Sequence, residues 1–212
     1  MPEVESRASE AYRKLEEDLV TLRYRPGDTL TEGKVTEELG MGRTPVREAL
    51  QRLAWEGLLT IRPRLGVLVA EMNPADFIKV VSARHALEVL LAGSAARLAS
   101  REQRDALKDC AQQMRKSVAE ADIMAFQRLD KRFDEIVAEA ACNPFAAQAV
   151  APLQTQSRRF WFRYFGEEDL TQAARNHLEL MQAIEAGDEK AAGDKAESLM
   201  TYLRQQAASL LG

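Results

Sequence analysis

Apolar residues along most of this chain recur at steps of three and four, the spacing of a helix with one buried face. The pattern predicts a first helix over residues 8–22 and a second from Thr31-Glu32 to Leu39. Only residues 58–61 and 67–69 depart from it, as short runs rich in β-branched and aliphatic residues. The chain is therefore predicted to be mainly helical, with one small β-hairpin.

Residues 39–57 are the most informative stretch. They open with the turn Gly40-Met41-Gly42, after which Thr44 is predicted as a helix N-cap and Pro45 as the first helical residue. The apolar stripe of this helix consists of Val46, Ala49, Leu50, Leu53 and Ala54. Arginines lie off the stripe, so the pattern predicts a short helix with one buried face and one basic face.

A helix of this kind suits the major groove of DNA, where its N-terminus and arginines can meet phosphates and guanine edges. The hairpin that follows has arginines in its loop, residues 62–66, and can act as a wing beside the helix. Thr44 is a candidate for a phosphate contact, and Gly66 allows a close backbone approach. The candidate DNA-binding residues are Arg43, Thr44, Arg47, Arg52, Arg62, Arg64 and Gly66.

Residues 25–69 resemble the winged helix-turn-helix of GntR-family bacterial transcription regulators. The resemblance rests on R-P-G-D-x-L-T-E, then E-L-G-M-G-R-T-P-V-R-E-A-L-Q-R-L-A-W-E-G-L-L, and finally R-L-G-V-L-V. It implies three helices and a small β-hairpin wing, with the same arginines facing DNA. Some relatives have a DNA-contacting basic residue in the second helix, where this chain has Gly33 beside Lys34.

Asn73-Pro74-Ala75-Asp76 predicts the start of a long helix and a domain boundary, giving domains over residues 1–72 and 73–212. The second domain contains helix caps and no strand pattern. Its six predicted helices cover residues 74–99, 101–120, 122–141, 144–165, 169–186 and 188–210. They are expected to pack as an antiparallel all-α bundle.

Four polar residues lie on or beside the apolar stripes of this bundle. Arg84 falls within the stripe of the first bundle helix, so it must pair with Glu88 or with a carboxylate ligand. Asp130 and Asp134 flank another stripe, and His177 belongs to a third. Together they predict an effector pocket. The aromatic run 160–165 is predicted to form core and dimer contact, not pocket wall.

The second half resembles the FCD-type effector domain of the FadR branch of the GntR family. That resemblance implies Asp-x-x-x-His on one helix and two further histidines around a divalent metal, with an arginine that meets a carboxylate effector. Here Asp134 stands at the first histidine position and Leu199 at the last. The implied metal set is Asp130, Asp134 and His177. These ligands suit Mn²⁺ or Mg²⁺ better than Zn²⁺ or Ni²⁺, so the site is expected to be weak or empty.

Charge and composition add three limits. The net charge is −4, yet the window 42–64 contains five arginines against two glutamates, so the basic patch is local. Cys110 and Cys142 are expected to be buried thiols. No apolar run is long enough for a membrane span, and residues 1–9 do not resemble a signal peptide, which predicts a cytoplasmic protein.

The sequence thus predicts a homodimeric transcription regulator, a repressor on the family resemblance, that reads a palindromic operator and responds to a small organic acid. It is not expected to be an enzyme. Two alternatives stay open: a metal-dependent α-helical hydrolase or lyase using the pocket residues, and a regulator that senses acyl-CoA.

Overall fold

The computed structural model describes residues 6–211. The chain divides into two compact units between Asn73 and Pro74. The outermost residues of the two predicted domains, 1–5 and 212, lie outside the described part. Among the described helices, none has the length and apolarity needed to cross a bilayer.

The first unit is a three-helix core with a small sheet. Its elements are α1 (Arg7–Val20), β1 (Thr29–Leu30), α2 (Glu32–Leu39), α3 (Arg43–Trp55), β2 (Leu59–Arg62) and β3 (Gly66–Val69). Their apolar faces meet around Leu15, Leu19 and Leu53, each at most 1% exposed. The predicted helices and hairpin are present, although α1 ends at Val20 and not at residue 22.

The sheet has three strands, in the order β1-β3-β2, all antiparallel. β1 was not predicted, because two residues are too few to show an alternating pattern. Its pairing with β3 attaches the hairpin to the chain that precedes α2. The hairpin is therefore attached through its second strand, β3, which is central in the sheet, while β2 is an edge strand.

The start of α3 differs from the prediction. The helix begins at Arg43, its N-cap is Gly42, and no described side chain caps it. Thr44 is already helical, so its predicted role as N-cap is wrong. Pro45 then occupies the third helical position, where its missing N–H is still harmless because the first four amides have no helical acceptor.

The second unit is all helical over its described residues. It consists of α4 (Pro74–Leu98), α5 (Arg101–Ala119), α6 (Ile123–Ala140), α7 (Pro144–Tyr164), α8 (Gly166–Ala186) and α9 (Glu189–Ser209). Ser100 and Gln103 form the predicted capping box, and Asp122 caps α6. These caps explain why the predicted helix starts lie close to the observed ones.

Two burial predictions need correction. Leu90 and Leu98, assigned to the buried stripe of α4, are 49% and 43% exposed. Cys142 is also exposed, because it lies beyond the end of α6 with a positive φ, while Cys110 is buried as predicted.

Candidate nucleic-acid interface and buried pocket

The N-terminal half of α3 presents an exposed polar face. Arg43, Thr44 and Arg47 are all exposed, and one helical turn separates the two arginines. Arg47 is held in place from α2: its Nε and Nη2 donate to the two carboxylate oxygens of Glu32 at 3.0 and 2.8 Å. This hydrogen bonding lowers the pKa of Glu32. These two hydrogen bonds to Glu32 fix the side chain of Arg47 on the face that is proposed to meet DNA.

Arg52 does not belong to this face. It lies roughly half a turn around α3 from Arg43. Its guanidinium stacks on the ring of Tyr12, 3.7 Å from the centroid, and its Nε donates to Glu56 Oε1 at 3.0 Å. Tyr12 in turn donates to the other oxygen of Glu56 at 2.7 Å. The structure thus gives Arg52 a packing role between α1 and α3.

The wing places two arginines at its tip. Arg62 ends β2 and pairs with Gly66 at the start of β3, while Arg64 lies in the loop with φ 67°. Both arginines are exposed. Gly66 has a reason within the fold: its φ is 103°, and a Cβ there would lie 2.5 Å from the carbonyl oxygen of Leu30. Close backbone approach occurs at Gly66, but the partner is β1.

The second unit encloses a small pocket between α4, α6, α7, α8 and α9. Three of the four predicted effector residues line it: Arg84 on α4, Asp130 on α6 and His177 on α8. Asp134, one turn beyond Asp130 on α6, is not a lining residue but contacts the pocket residue Arg158. The enclosed volume is about 30 Å³. That is room for a water molecule. A ligand of several carbon atoms can therefore enter only if the lining moves.

Arg84 is buried and paired internally. Its Nε and Nη2 donate to Glu88 Oε1 at 2.9 and 2.7 Å, and Gln154 donates to the same oxygen at 3.1 Å. Both alternatives for Arg84 therefore have support: it is satisfied by Glu88, and it also lines the pocket. Its charge is compensated before any ligand arrives.

His177 is fixed at both ring nitrogens. Nδ1 lies 2.8 Å from the carbonyl oxygen of Ala173, and Nε2 lies 2.9 Å from Asp130 Oδ1. Burial opposes a charged imidazole, but the Asp130 carboxylate outweighs it and raises the pKa of His177. Conversely, His177 overcomes the effect of burial and lowers the pKa of Asp130. The two side chains form a buried ion pair.

Asp134 is held by a residue that the sequence interpretation missed. Arg158 on α7 donates from Nη1 to Asp134 Oδ2 at 2.5 Å and from Nη2 to Thr155 Oγ1 at 3.0 Å. Burial and the nearby Asp130 carboxylate raise the pKa of Asp134 to about 8, against the lowering effect of Arg158. Asp134 Oδ2 thus already accepts a hydrogen bond from a guanidinium.

The donor set does not fit a metal ion. Within residues 6–211, no three His, Cys, Asp or Glu side chains are arranged to hold one. Asp134 accepts from Arg158, Nε2 of His177 is used by Asp130, and Leu199 is an aliphatic side chain 4% exposed. The predicted metal set of Asp130, Asp134 and His177 is therefore not formed, because each of these groups already has a protein partner.

Other pocket residues were missed in whole or in part. Trp161 is buried in the core as predicted, but it also lines the pocket, which was not predicted, and donates to Asp169 Oδ2 at 2.7 Å. Gln127 and Ser157 are each 5% exposed, and Gln127 Oε1 and Ser157 Oγ have no hydrogen-bond partner in the described part of the chain. A sequence signal existed on α7, where Gln154, Arg158 and Trp161 follow the helical spacing of one face.

A winged helix-turn-helix with an exposed arginine face, together with a helical unit that encloses a polar pocket, defines a ligand-responsive DNA-binding regulator. The chain belongs to the GntR family of bacterial regulatory proteins: residues 7–69 match the family's DNA-binding region, and residues 79–201 match the FCD domain. GntR regulators bind operator DNA, and FCD domains in some of them bind metal.

Curated relatives of this chain are also transcription regulators. The chain is 29% identical over 196 residues to the HTH-type transcriptional repressor RspR of Escherichia coli K12, which covers 92% of this chain and 84% of RspR. It is also 29% identical over 165 residues to the probable D-xylose utilization operon transcriptional repressor of Paenarthrobacter nicotinovorans, covering 76% and 71% of the two chains. These relatives are regulators, so the alternative of a hydrolase or lyase is wrong.

The fold matches solved GntR structures across both units. E. coli McbR/YncC superposes with a TM-score of 0.84 at 18% identity and covers 98% of this chain and 99% of its own. A GntR regulator from Rhodococcus sp. RHA1 gives 0.73 at 21% identity, with 97% and 98% covered. The predicted fold class, a winged helix-turn-helix followed by an all-α bundle, is confirmed.

Proposed function

We propose that this regulator is a repressor that binds a palindromic operator as a homodimer and acts in the cytoplasm, where that DNA lies. Two relatives are named as repressors, and a two-fold dimer would present two α3 helices to two half-sites. The observation that carries the proposal is the exposed face of α3, with Arg43, Thr44 and Arg47 on it. Arg62 and Arg64 would add contacts from the wing.

The effector is proposed to be a small carboxylate in the pocket of the helical unit. Arg84 and Arg158 line the pocket beside their partner carboxylates, so an incoming carboxylate would share or displace Glu88 and Asp134 at the guanidinium N–H groups. Gln127 and Ser157, each with a buried polar atom that has no partner among the described residues, line the same pocket. These charged walls favour a small acid over an acyl-CoA chain. Because the enclosed volume is only about 30 Å³, binding must shift lining side chains or helices. That movement can be transmitted as a change in DNA affinity.

The DNA face can be tested without knowing the operator. Sites selected from a random duplex library should be palindromic. Arg43→Met or Arg64→Met should weaken binding to them by about 1–3 kcal/mol for each interaction with a base that the substitution removes. Arg101→Met is the matched control, since Arg101 is a 95% exposed arginine on α5. Equal affinity of the Arg43 variant and the control would contradict the proposal.

The effector site can be tested by a thermal-shift screen of short organic acids against acyl-CoA thioesters. Arg84→Gln combined with Glu88→Gln removes the charge while leaving no buried ion unpaired, and it should abolish the response to the acid. The variant should bind the selected DNA as tightly as the parent. A retained acid response would exclude Arg84 from the effector site.

A further inference from the structure

The acids in and beside the pocket are already paired with basic side chains of the protein. Glu88 pairs with Arg84, Asp130 with His177, and Asp134 with Arg158, at distances between 2.5 and 2.9 Å. All six side chains are 13% exposed or less. A buried charge is tolerated when it has such a partner, so this cluster is stable as it stands.

The guanidinium of Arg158 lies against Asp134, one of the carboxylates that a cation in this cluster would need. Its N–H groups point at the carboxylate of Asp134, and a guanidinium has donors but no lone pair with which to ligate a metal. A divalent ion placed between Asp130 and Asp134 would meet this fixed positive charge at short range. The hydrogen bond from Arg158 to Thr155 holds the guanidinium in that orientation.

The pocket also has places for a polar ligand. Gln127 Oε1 and Ser157 Oγ are buried without a partner among the described residues, and they lie in the wall that contains Arg158. Leaving such atoms unsatisfied is unfavourable. An acid that also carries a hydrogen-bond donor would satisfy them while its carboxylate meets the guanidinium groups.

We infer that the guanidinium of Arg158 takes the place of a metal ion in this FCD domain, excluding divalent cations and supplying the positive charge that binds the effector's carboxylate. The part that concerns the effector rests on the proposed function. The part that concerns metal exclusion does not, because it depends only on the Asp134–Arg158 pair.

The exclusion of metal ions is tested by calorimetric titration of the chelator-treated full-length protein with MnCl₂ and with ZnCl₂. We expect no stoichiometric binding by the parent or by Arg163→Met, which removes an exposed arginine from the same helix. Arg158→Met should bind one ion at least about tenfold more tightly than the parent, because a positive charge at short range is gone. Adding Asp134→Asn to Arg158→Met should remove that gain.

Metal binding by the parent at the affinity of Arg158→Met would overturn the inference. So would the absence of any gain in an Arg158→Met protein shown to be folded by circular dichroism. Should that variant fail to fold, Arg158→Gln, which keeps a neutral hydrogen-bonding side chain beside Asp134, takes its place in the metal titration with the same expected gain.

The role of Arg158 in effector binding is tested with the panel of short organic acids. Binding is measured as a thermal shift of the protein with and without EDTA. Shifts that persist in EDTA and vanish in Arg158→Gln with Asp134→Asn are expected. Shifts that vanish in EDTA would overturn the inference and leave the proposed effector function standing. If no acid shifts the parent, the proposed effector function fails, while the metal titration still decides the role of Arg158 in excluding cations.

Discussion

Gly66 and Arg52 show, at the scale of single residues, that a residue suited to DNA can be required by the fold instead. Gly66 adopts φ 103° beside the Leu30 carbonyl, and Arg52 is stacked on Tyr12. In both cases the partner comes from a part of the chain distant in sequence. The residue type alone indicates DNA, while the contact indicates packing.

Replacing Gly66 with alanine should destabilise the first unit. The new Cβ would lie 2.5 Å from backbone, and an L-residue at this φ is strained, so we expect a loss of about 1–3 kcal/mol. Urea unfolding of the full-length protein followed by circular dichroism measures it.

Gly33→Ala is the matched control for this substitution. Gly33 lies inside α2, and, apart from its chain neighbours and the backbone of its own helix, no described atom lies within 4 Å of the position that an alanine Cβ would take. Alanine there should therefore stabilise the protein by about 0.5–1 kcal/mol. If both variants unfold at the same urea concentration, the proposed close contact of Gly66 with β1 is wrong.

Pairs of elements determine how the arginines are presented. α2 contributes little apolar surface, with Val35 as its buried residue, but its Glu32 holds Arg47 of α3 in a two-point ion pair. This fixes the arginine's direction before DNA arrives and places a carboxylate beside the proposed phosphate contacts. Glu32 therefore acts on recognition through Arg47.

Glu32→Gln should lower selectivity more than affinity. Without the Glu32 carboxylate, Arg47 loses its fixed geometry. A negative charge that repels DNA phosphates is also removed, so the affinity for random duplex should rise. The ratio of selected-site to random-duplex affinity should fall by about two- to fivefold, the range of an exposed ion pair. Competition binding by fluorescence anisotropy measures this ratio.

Glu37→Gln removes an exposed carboxylate from the same helix and serves as the control. This variant has the same change in net charge but keeps both hydrogen bonds between Arg47 and Glu32. A selectivity loss of equal size in both variants would mean that charge alone is responsible and that Glu32 does not position Arg47.

At the scale of the whole molecule, the chain combines a net charge of −4 with a local basic patch in its DNA-binding unit. Affinity for random DNA should be modest, because only the local arginines can displace counterions. Regulation requires that the effector bind the DNA-competent and DNA-incompetent arrangements with different affinity.

This requirement gives a reciprocal prediction. An acid that weakens binding to the selected site by a given factor, typically about 5–150-fold, must bind the DNA-bound protein more weakly than the unbound protein by the same factor. DNA titrations at several acid concentrations and acid titrations with and without DNA measure both factors. Because the thermodynamic cycle requires equal factors for one site, unequal factors at equilibrium would show that the acid also binds at a second site or binds the DNA itself.

Much of the fold could be predicted because it is encoded locally. Caps such as Ser100, Asp122 and Asn143 act within one turn, so their sequence positions place helix starts within a few residues. β1 could not be predicted, since a two-residue strand exists only through its pairing with β3. Thr44 was misassigned because both Gly42 and Thr44 are acceptable caps, so the residue types do not decide between them; the helix starts at Arg43, after Gly42.

The pocket was predictable in part. Arg84, Asp130 and His177 were recognisable as polar residues on or beside apolar helical stripes, a local signal. Their partners were not, apart from Glu88 one turn away from Arg84. Arg158 reaches Asp134 across 24 residues of sequence and two helices, and no spacing rule connects them.

By itself the sequence determined the periodic helices, their caps, the basic face of α3 and the acids and bases available to the bundle, because each of these depends on residues within a turn or two. Tertiary structure alone decided which acid meets which base. Asp134 faces Arg158 and not an open metal position, and Gly66 faces β1, because side chains from distant segments are brought within hydrogen-bond distance only when the helices and strands pack.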